Sequence, residues 1–463
     1  MSAGFRISPA LWDKIHHFAS FPQTGVSLQQ MVLFGQNPSQ GTLLKASQFL
    51  AEELPVRLAH RVKELDELPH NLSNMPSIRK VKNWYAQSFE VRPMTHTTHN
   101  SLFTSGKELI TFPPIHLSPT VRQALMVPRS GEVTLPESTP NPSLAFEPQS
   151  DGLYSHALDG GGNGNGGANG FNKLRLRVPM ERRYYASTNR TDWPPEVQDY
   201  NKRFTKLLEH IKSRHDPTVT TVAQGVLEWK KCQNARHIGH DIQAWLDRFY
   251  MSRIGIRFLI GQHVALNTHM AHEDYVGIIC TKANVHDIVQ EAIENARFVC
   301  EEHYAMFKGP PVQLICPKNL TFPYVPGHLS HIVFELLKNS LRAVVERFGV
   351  DKEDHFPPIK VVVVEGKEDI TVKISDEGGG IPRSAIPLIW TYMYTTMEGQ
   401  RIDQDFQASD FKAPMAGFGY GLPLSRLYAR YFGGDLRLIA MDGFGTDVYI
   451  HLNRLSSSRE PLP

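Results

Sequence analysis

Five polar side chains recur along one short stretch, His331-Ile-Val-Phe-Glu335-Leu-Leu-Lys338-Asn339-Ser-Leu-Arg342. At about 100° per residue, a helix would gather His331, Glu335, Lys338, Asn339 and Arg342 into one arc of about 100°. Ile332, Val333, Phe334, Leu336, Leu337 and Leu341 would occupy the remaining face. Such a stripe is either the solvated side of an amphipathic helix or a set of ligands. As ligands, a glutamate can take a proton, the Asn339 amide oxygen can bind Mg²⁺, and Lys338 and Arg342 can neutralise phosphate. Two glycine bends extend that chemistry. Asp376-Glu-Gly378-Gly-Gly380-Ile follows a β-branched run. A carboxylate at a strand end can accept a hydrogen bond from an adenine amino group, and glycines let the chain turn sharply beside a ligand. Gly417-Phe418-Gly419-Tyr420-Gly421-Leu422-Pro opens a helical pattern. Backbone N–H groups at a helix N-terminus attract anions, and polyphosphate is the anion such glycines admit. Either bend alone is also an ordinary turn.

The elements that must hold these residues divide the chain in two, as 463 residues with 41% apolar content would suggest. Apolar residues recur at helical spacing over 9–58, 42–63, 81–89, 195–210 and 219–264, which predicts an all-helical bundle over residues 1–270. It is interrupted at about 128–192 by a Pro- and Gly/Asn-rich stretch, read as a flexible insertion because such residues bury little apolar area. The second half, 271–455, alternates helices (285–304, 328–348, 422–432) with paired β-branched runs. The runs 359–365 and 370–375 read as one hairpin, and 435–441 and 446–452 as another. The fold class is therefore α+β: an N-terminal helical bundle, then a C-terminal α/β sandwich with a mixed, largely antiparallel sheet. Residues 456–463 form a tail.

Composition excludes several functions. The net charge of +2 gives no overall field for holding nucleic acid, and no apolar run is long enough to span a membrane. Four scattered cysteines without a C-x-x-C pair argue against a disulfide scaffold or a zinc site. No P-loop is present, because Gly106-Lys107 and Gly366-Lys367 are both followed by glutamate. No strand pattern leads into Gly417, which sets aside a dinucleotide Rossmann unit, and the usual protein-kinase signatures are missing.

The order of the motifs is more specific than any one of them. E-x-x-x-N on a helix, D-x-G-x-G after a strand, G-x-G-x-G before a helix and Gly445-Thr446 on a strand resembles the ATP-binding fold of type II topoisomerases, mismatch-repair ATPases, heat-shock chaperones and sensor histidine kinases. The wording Phe249-Tyr-Met-Ser-Arg-Ile, Phe334-Glu-Leu-Leu-Lys-Asn-Ser-Leu-Arg-Ala, Tyr392-Met-Tyr-Thr395-Thr396 and Met441-Asp-Gly-Phe-Gly-Thr-Asp is similar to the mitochondrial kinases of the α-keto acid dehydrogenase complexes. Most of it resembles the pyruvate dehydrogenase kinase branch. Val276-Gly-Ile-Ile-Cys-Thr is closer to the branched-chain sister enzyme.

That resemblance implies an ATP- and Mg²⁺-dependent protein serine kinase of the mitochondrial matrix. Its substrate would be the pyruvate dehydrogenase decarboxylase α subunit. Its partners would be the lipoyl domain of the dihydrolipoyl acyltransferase, bound by the helical domain, and a second copy of itself, bound through the sheet. Glu335 would be the general base, adjusted by His331, and Asn339 would hold Mg²⁺. Lys338 and Arg342 would lie near the phosphates, while Asp376, Gly378, Gly380 and Thr446 would line the adenine. Thr395, Thr396 and residues Gly417, Phe418, Gly419, Tyr420, Gly421 and Leu422 would form a phosphate-side lid. The insertion and a tail lacking the Asp-Trp element of animal relatives depart from the family pattern. The other readings are the branched-chain kinase, a histidine kinase using His240, and an ATP-driven clamp.

Overall fold

Three serines start the first helices of the chain. In this computed structural model, Ser8, Ser27 and Ser39 each accept a backbone N–H from the first turn of α1 (Pro9–Ala19), α2 (Leu28–Gly35) and α3 (Gln40–Asp66). At Ser27 the Gln30 side chain reciprocates, completing a capping box. The structure describes residues 5–36, 38–89, 193–235, 238–269, 272–395, 419–454 and 456–462, with short pieces between 109 and 142. Most of the expected insertion at 128–192 lies outside the described residues. Its described part, 135–142, runs beside residues 457–459.

Four more helices follow among the described residues of the helical half: α4 (Pro76–Phe89), α5 (Pro195–Arg214), α6 (Thr218–Gln233) and α7 (His240–Thr268). The helical stretch expected over 219–264 is two helices. Asn234 ends α6 in a left-handed conformation (φ 51°), and α7 restarts after Gly239. The 29-residue α7 is apolar on most sides and is buried accordingly. Trp245, Phe249 and Ile256 lie on it, in the same core as Leu54, Leu58 and Val62 of α3.

The second half begins with a three-stranded sheet of β1 (Tyr275–Val276), β2 (Ile279–Asn284) and β4 (Thr321–Tyr324), in the order β1-β2-β4. The larger sheet has the order β3-β5-β6-β8-β7, from β3 (Val312–Ile315), β5 (Ile359–Glu365), β6 (Asp369–Asp376), β7 (Asp435–Met441) and β8 (Gly445–Asn453). Only β3 and β5 pair in parallel, so the sheet is mixed and largely antiparallel. Both expected hairpins form, β5–β6 and β7–β8, and they join through β6 against β8. Alternate residues of these strands, among them Val361, Val372, Ile374 and Ile450, are fully buried in the main core. Among the described residues of this half are the helices α8 (Val285–Tyr304), α9 (Pro326–Phe348) and α10 (Gly421–Tyr431), and α9 packs on both α8 and α10. Leu329, Val333, Leu337 and Val344 form part of its apolar side. Among the described residues no helix is long and apolar enough to cross a membrane.

Candidate active site

The polar stripe of α9 is not a solvated face. His331, Glu335 and Lys338 are 6%, 7% and 2% exposed; only Asn339 is open to solvent, and Arg342 is half-buried. Lys338 Nζ lies 2.9 Å from Glu335 Oε1 and 5.1 Å from the centre of the Phe334 ring. Burying an ammonium and a carboxylate costs several kcal/mol each before their attraction is counted, so such a pair seldom serves stability alone. The cover comes from α10. A Cβ on Gly421 would stand 2.5 Å from Glu335 Oε2, so only glycine lets the first turn of α10 close over the carboxylate. No side chain caps that helix and its first turn carries no acidic residue. Its N-terminal N–H groups and dipole, together with Lys338, favour negative charge at this point.

Near the start of α9, the rings of His328 and His331 lie 4.8 and 5.1 Å from that of Tyr428 on α10. Burial, then the neighbouring His331, pushes His328 down to about 3, so it is neutral at any physiological pH. Arg342 donates through Nε to Glu346 (2.7 Å), away from the Glu335 group.

Asp376, at the end of β6, meets α9 one and a half turns beyond Glu335. The Ser340 hydroxyl donates to Asp376 Oδ2 (2.8 Å) and the Gly378 N–H to Oδ1 (2.9 Å). Burial pushes this carboxyl above its usual range, while the bonds from Gly378, Ser340 and the Thr446 backbone pull it back. Thr446 sits opposite Asp376 in the β6–β8 register. The glycine bend is stitched to the β7–β8 turn: Gly443 N–H donates to Gly379 O (2.8 Å) and Gly379 N–H to Phe444 O (3.1 Å). Arg347, from the last turn of α9, clamps both sides by donating to the carbonyls of Glu377, Gly443 and Phe444. Gly380 is left-handed (φ 73°), and a side chain there would strike the Met441 carbonyl.

The structure thus brings His331, Glu335, Lys338 and Gly421 together at one end of α9, and Asp376, Gly378, Gly380 and Thr446 at the other. Glu335 and Ser340 are separated by about 7.5 Å along the helix axis. Tyr420 is buried and Leu422 half-buried at the start of α10, and Gly419 abuts the backbone of Tyr394. Thr395 is exposed. Thr396, Gly417 and Phe418 lie outside the described residues. His240 is an exposed first residue of α7, beside Asp241, which pairs with His70.

Ser340 and Arg347 escaped the sequence reading. Ser340 is set among the apolar residues of α9, and Arg347 reads as a charged last-turn residue. What reveals them is the spatial approach of β6 and of the β7–β8 turn. Sequence alone offers no local signal for either residue.

The donor set suits Mg²⁺-nucleotide. No group of three His, Cys, Asp or Glu side chains forms a metal cage among the described residues. Mg²⁺ in nucleotide sites keeps phosphate oxygens and waters and takes only one or two protein oxygens. The exposed Asn339 amide beside Glu335 can supply one of them.

Comparison with known proteins agrees with this architecture. Residues 25–280 match the family described as mitochondrial branched-chain alpha-ketoacid dehydrogenase kinase. Residues 324–456 match the histidine kinase-, DNA gyrase B- and HSP90-like ATPase family. The chain is 44% identical to the mitochondrial pyruvate dehydrogenase (acetyl-transferring) kinase of Schizosaccharomyces pombe, across 98% of this chain and 99% of that one. It is 37% identical to the Arabidopsis thaliana kinase of the same name, over 98% and 97% of the two chains. Identity to isozyme 3 of Homo sapiens is 34%, over 97% and 88%. With one family description covering more than half its length and relatives this similar from end to end, the chain belongs to the mitochondrial pyruvate dehydrogenase kinase family.

Proposed function

We propose that the chain transfers the γ-phosphate of ATP to serines of the pyruvate dehydrogenase decarboxylase α subunit, in the mitochondrial matrix, and so switches that complex off. The observation that carries this is the buried Glu335 carboxylate, held beside Lys338 and under the N-terminus of α10. The names of the relatives favour the pyruvate complex over the branched-chain one.

In the reaction, Glu335 takes the proton of the acceptor serine hydroxyl as its oxygen attacks the γ-phosphorus. The bond from that phosphorus to the β–γ bridging oxygen breaks and ADP leaves. Serine hydroxyls barely ionise at neutral pH, so a positioned carboxylate helps, typically by about 10²–10⁴-fold. The remaining work is positioning and charge neutralisation. Lys338 and the α10 amides would lie near the phosphates, and His331, one helical turn from Glu335, would adjust the base. Asn339 holds Mg²⁺, which when bound offsets phosphate charge. Asp376 receives the adenine amino group, and Thr446, Gly378 and Gly380 wall that end. Of the lid residues, the described ones, Thr395, Gly419, Tyr420, Gly421 and Leu422, would bound the phosphate side, and Arg342 would turn toward it from its Glu346 pair.

Labelled ATP and purified pyruvate dehydrogenase complex test this directly. Acid-stable label on decarboxylase serines is expected. Acid-labile label on the kinase itself, or free phosphate alone, would replace this reading with a histidine kinase or a clamp.

The family's two further partners complete the proposal. The helical half binds the lipoyl domain, tested by co-sedimentation with the acyltransferase core. A second copy docks on the large sheet, where Ile439 and Met441 of the edge strand β7 and neighbouring Phe444 are 58%, 60% and 53% exposed. Ile439→Glu is expected to shift sedimentation from dimer to monomer; an unchanged dimer would refute that face.

A further inference from the structure

After β8 the chain crosses back to the helical half and buries a carboxylate there. Glu460 is 3% exposed. Its backbone N–H donates to Val26 O (2.9 Å), and Val26 N–H returns a bond to its Oε1 (3.1 Å). Arg57 of α3 grips both carboxylate oxygens, with Nη1 at 3.0 Å from Oε2 and Nη2 on Oε1. The Tyr431 hydroxyl, at the last residue of α10, donates to Oε2 as well. Arg57 in turn bonds Glu53 (3.1 Å) and Thr24 O (2.7 Å). On the α7 side only Gly255 fits, since a Cβ there would come within 2.7 Å of Glu460 and 3.2 Å of the Tyr431 hydroxyl. Asn141 adds a second tie, donating to Arg430 O and Arg459 O (3.1 Å each).

Five segments far apart in sequence therefore meet at one carboxylate: the 24–26 loop, α3, α7, the last turn of α10, and the 456–462 segment. Burial would lower Arg57, but Glu460 and Glu53 hold it above its ordinary range, and burial with Glu460 pushes the Tyr431 hydroxyl up. The network is charged on one side and a hydroxyl donor on the other, so its geometry is directional where an apolar contact would slide. It anchors the C-terminal end of an 11-residue helix whose N-terminal end covers Glu335. At 1.5 Å per residue the two ends are about 15 Å apart, so displacement of the anchor is carried to the cover by a rigid rod.

We propose that Glu460 is a positioning residue for phosphoryl transfer: with Arg57 and Tyr431 it fixes α10 on the helical half and sets where its N-terminus meets Glu335. The inference rests on the proposed phosphate role of the α10 N-terminus. It makes the juncture of the two halves part of the catalytic geometry.

The test compares full-length wild type, Glu460→Gln, Tyr431→Phe and Val81→Ala, a distant core truncation that lowers stability without touching α10. Serine phosphorylation of the pyruvate dehydrogenase complex is measured at saturating ATP, well below the lowest melting temperature. Glu460→Gln is expected to lose about tenfold in kcat, within the range a 1 Å misplacement can cost. Tyr431→Phe, deleting one hydroxyl, is expected to lose about threefold, and it carries the test if Glu460→Gln does not fold. Val81→Ala should keep its kcat despite a lower melting temperature. Rates in Glu460→Gln and Tyr431→Phe equal to wild type, or lowered only as far as Val81→Ala at matched stability, would overturn the proposal. A wild-type protein that transfers no phosphate would overturn the site reading and this inference together, whereas active wild type with active variants overturns this one alone.

Discussion

Glu335→Gln isolates the proton-taking step proposed for this carboxylate. The amide nearly reproduces the carboxylate's shape, so the cover by Gly421 and the packing of α9 survive, but it cannot accept the serine proton. Two consequences can be sized. General-base help of about 10²–10⁴-fold corresponds to about 2.7–5.4 kcal/mol in the barrier at 1.36 kcal/mol per decade. Separately, Lys338, 2% exposed and 2.9 Å from Glu335, loses its charged partner. Breaking a buried pair costs up to about 3–5 kcal/mol, and the amide oxygen, still able to accept from Lys338, holds the loss toward the lower end. The assay is single-turnover transfer to the decarboxylase at saturating ATP, beside calorimetric titration with ADP and a thermal melt. Nucleotide affinity within about threefold of wild type, a difference of about 0.7 kcal/mol, is expected with transfer down by the full range. Adding Lys338→Met to Glu335→Gln should recover part of the melting temperature, by removing the orphaned ammonium, and none of the activity. Transfer above about a tenth of the wild-type rate with intact nucleotide binding would remove Glu335 as the base. Loss of nucleotide affinity in step with the melt would reduce it to a structural partner of Lys338.

Asp376→Ala strips the proposed adenine acceptor and leaves Ser340 and Gly378 without theirs; ADP affinity should fall by about 1–3 kcal/mol, and an unchanged calorimetric Kd would contradict the adenine assignment. Asn339→Ala should raise the Mg²⁺ concentration needed for half-maximal transfer while leaving metal-free ADP binding close to wild type, so an unaltered Mg²⁺ dependence would move the metal elsewhere. For pH, burial drives His215, His263 and His328 each down to about 3, against 6.5 when unfolded. The unfolded chain therefore binds more protons between about pH 3 and 6.5, so stability is complete above that window and is lost on acidification; going from pH 7.5 to 5.5 should cost about 1.4 kcal/mol per histidine, or about 4 kcal/mol in all. Chemical denaturation at the two values checks it, with His328→Phe expected to remove about a third of the pH effect.

Much of the site-bearing half could be read from the chain because its signals are local. The helix expected over 285–304 coincides with α8, that over 328–348 begins two residues late, and both hairpins follow from β-branched runs closed by turn residues. The unread parts depend on partners distant in sequence. Periodicity placed five polar residues on one face of α9 but could not tell solvent from α10, which decides whether Glu335 is a surface charge or a buried one. Hairpin signals are likewise silent on β6 pairing with β8, the pairing that sets Asp376 opposite Thr446. In the helical half, apolar spacing carried one stretch through Asn234 and Gly239, although a left-handed Asn and a glycine before an apolar run were the available stop and start signs.

The same contrast explains how the fold tolerates a costly site. A carboxylate and an ammonium on adjacent turns of α9 would be most stable in water, yet the structure encloses both; an ion pair, an aromatic face and a helix N-terminus are among the compensations. Each compensation comes from a direction that also orients the carboxylate: Lys338 from its own helix, Phe334 beneath the ammonium, Gly421 from above. Asp376 is treated alike, fixed through both oxygens before any ligand arrives. Preorganised charge of this kind stabilises a developing transition state without reorganising during the reaction. The two carboxylates differ in one respect that matters for chemistry. Both Asp376 oxygens are occupied by neutral donors that leave it an acceptor, whereas Glu335 is held beside a charged lysine. An adenine acceptor must stay put, and a base must be able to take a proton; the surroundings of the two residues differ in the sense that their proposed tasks require.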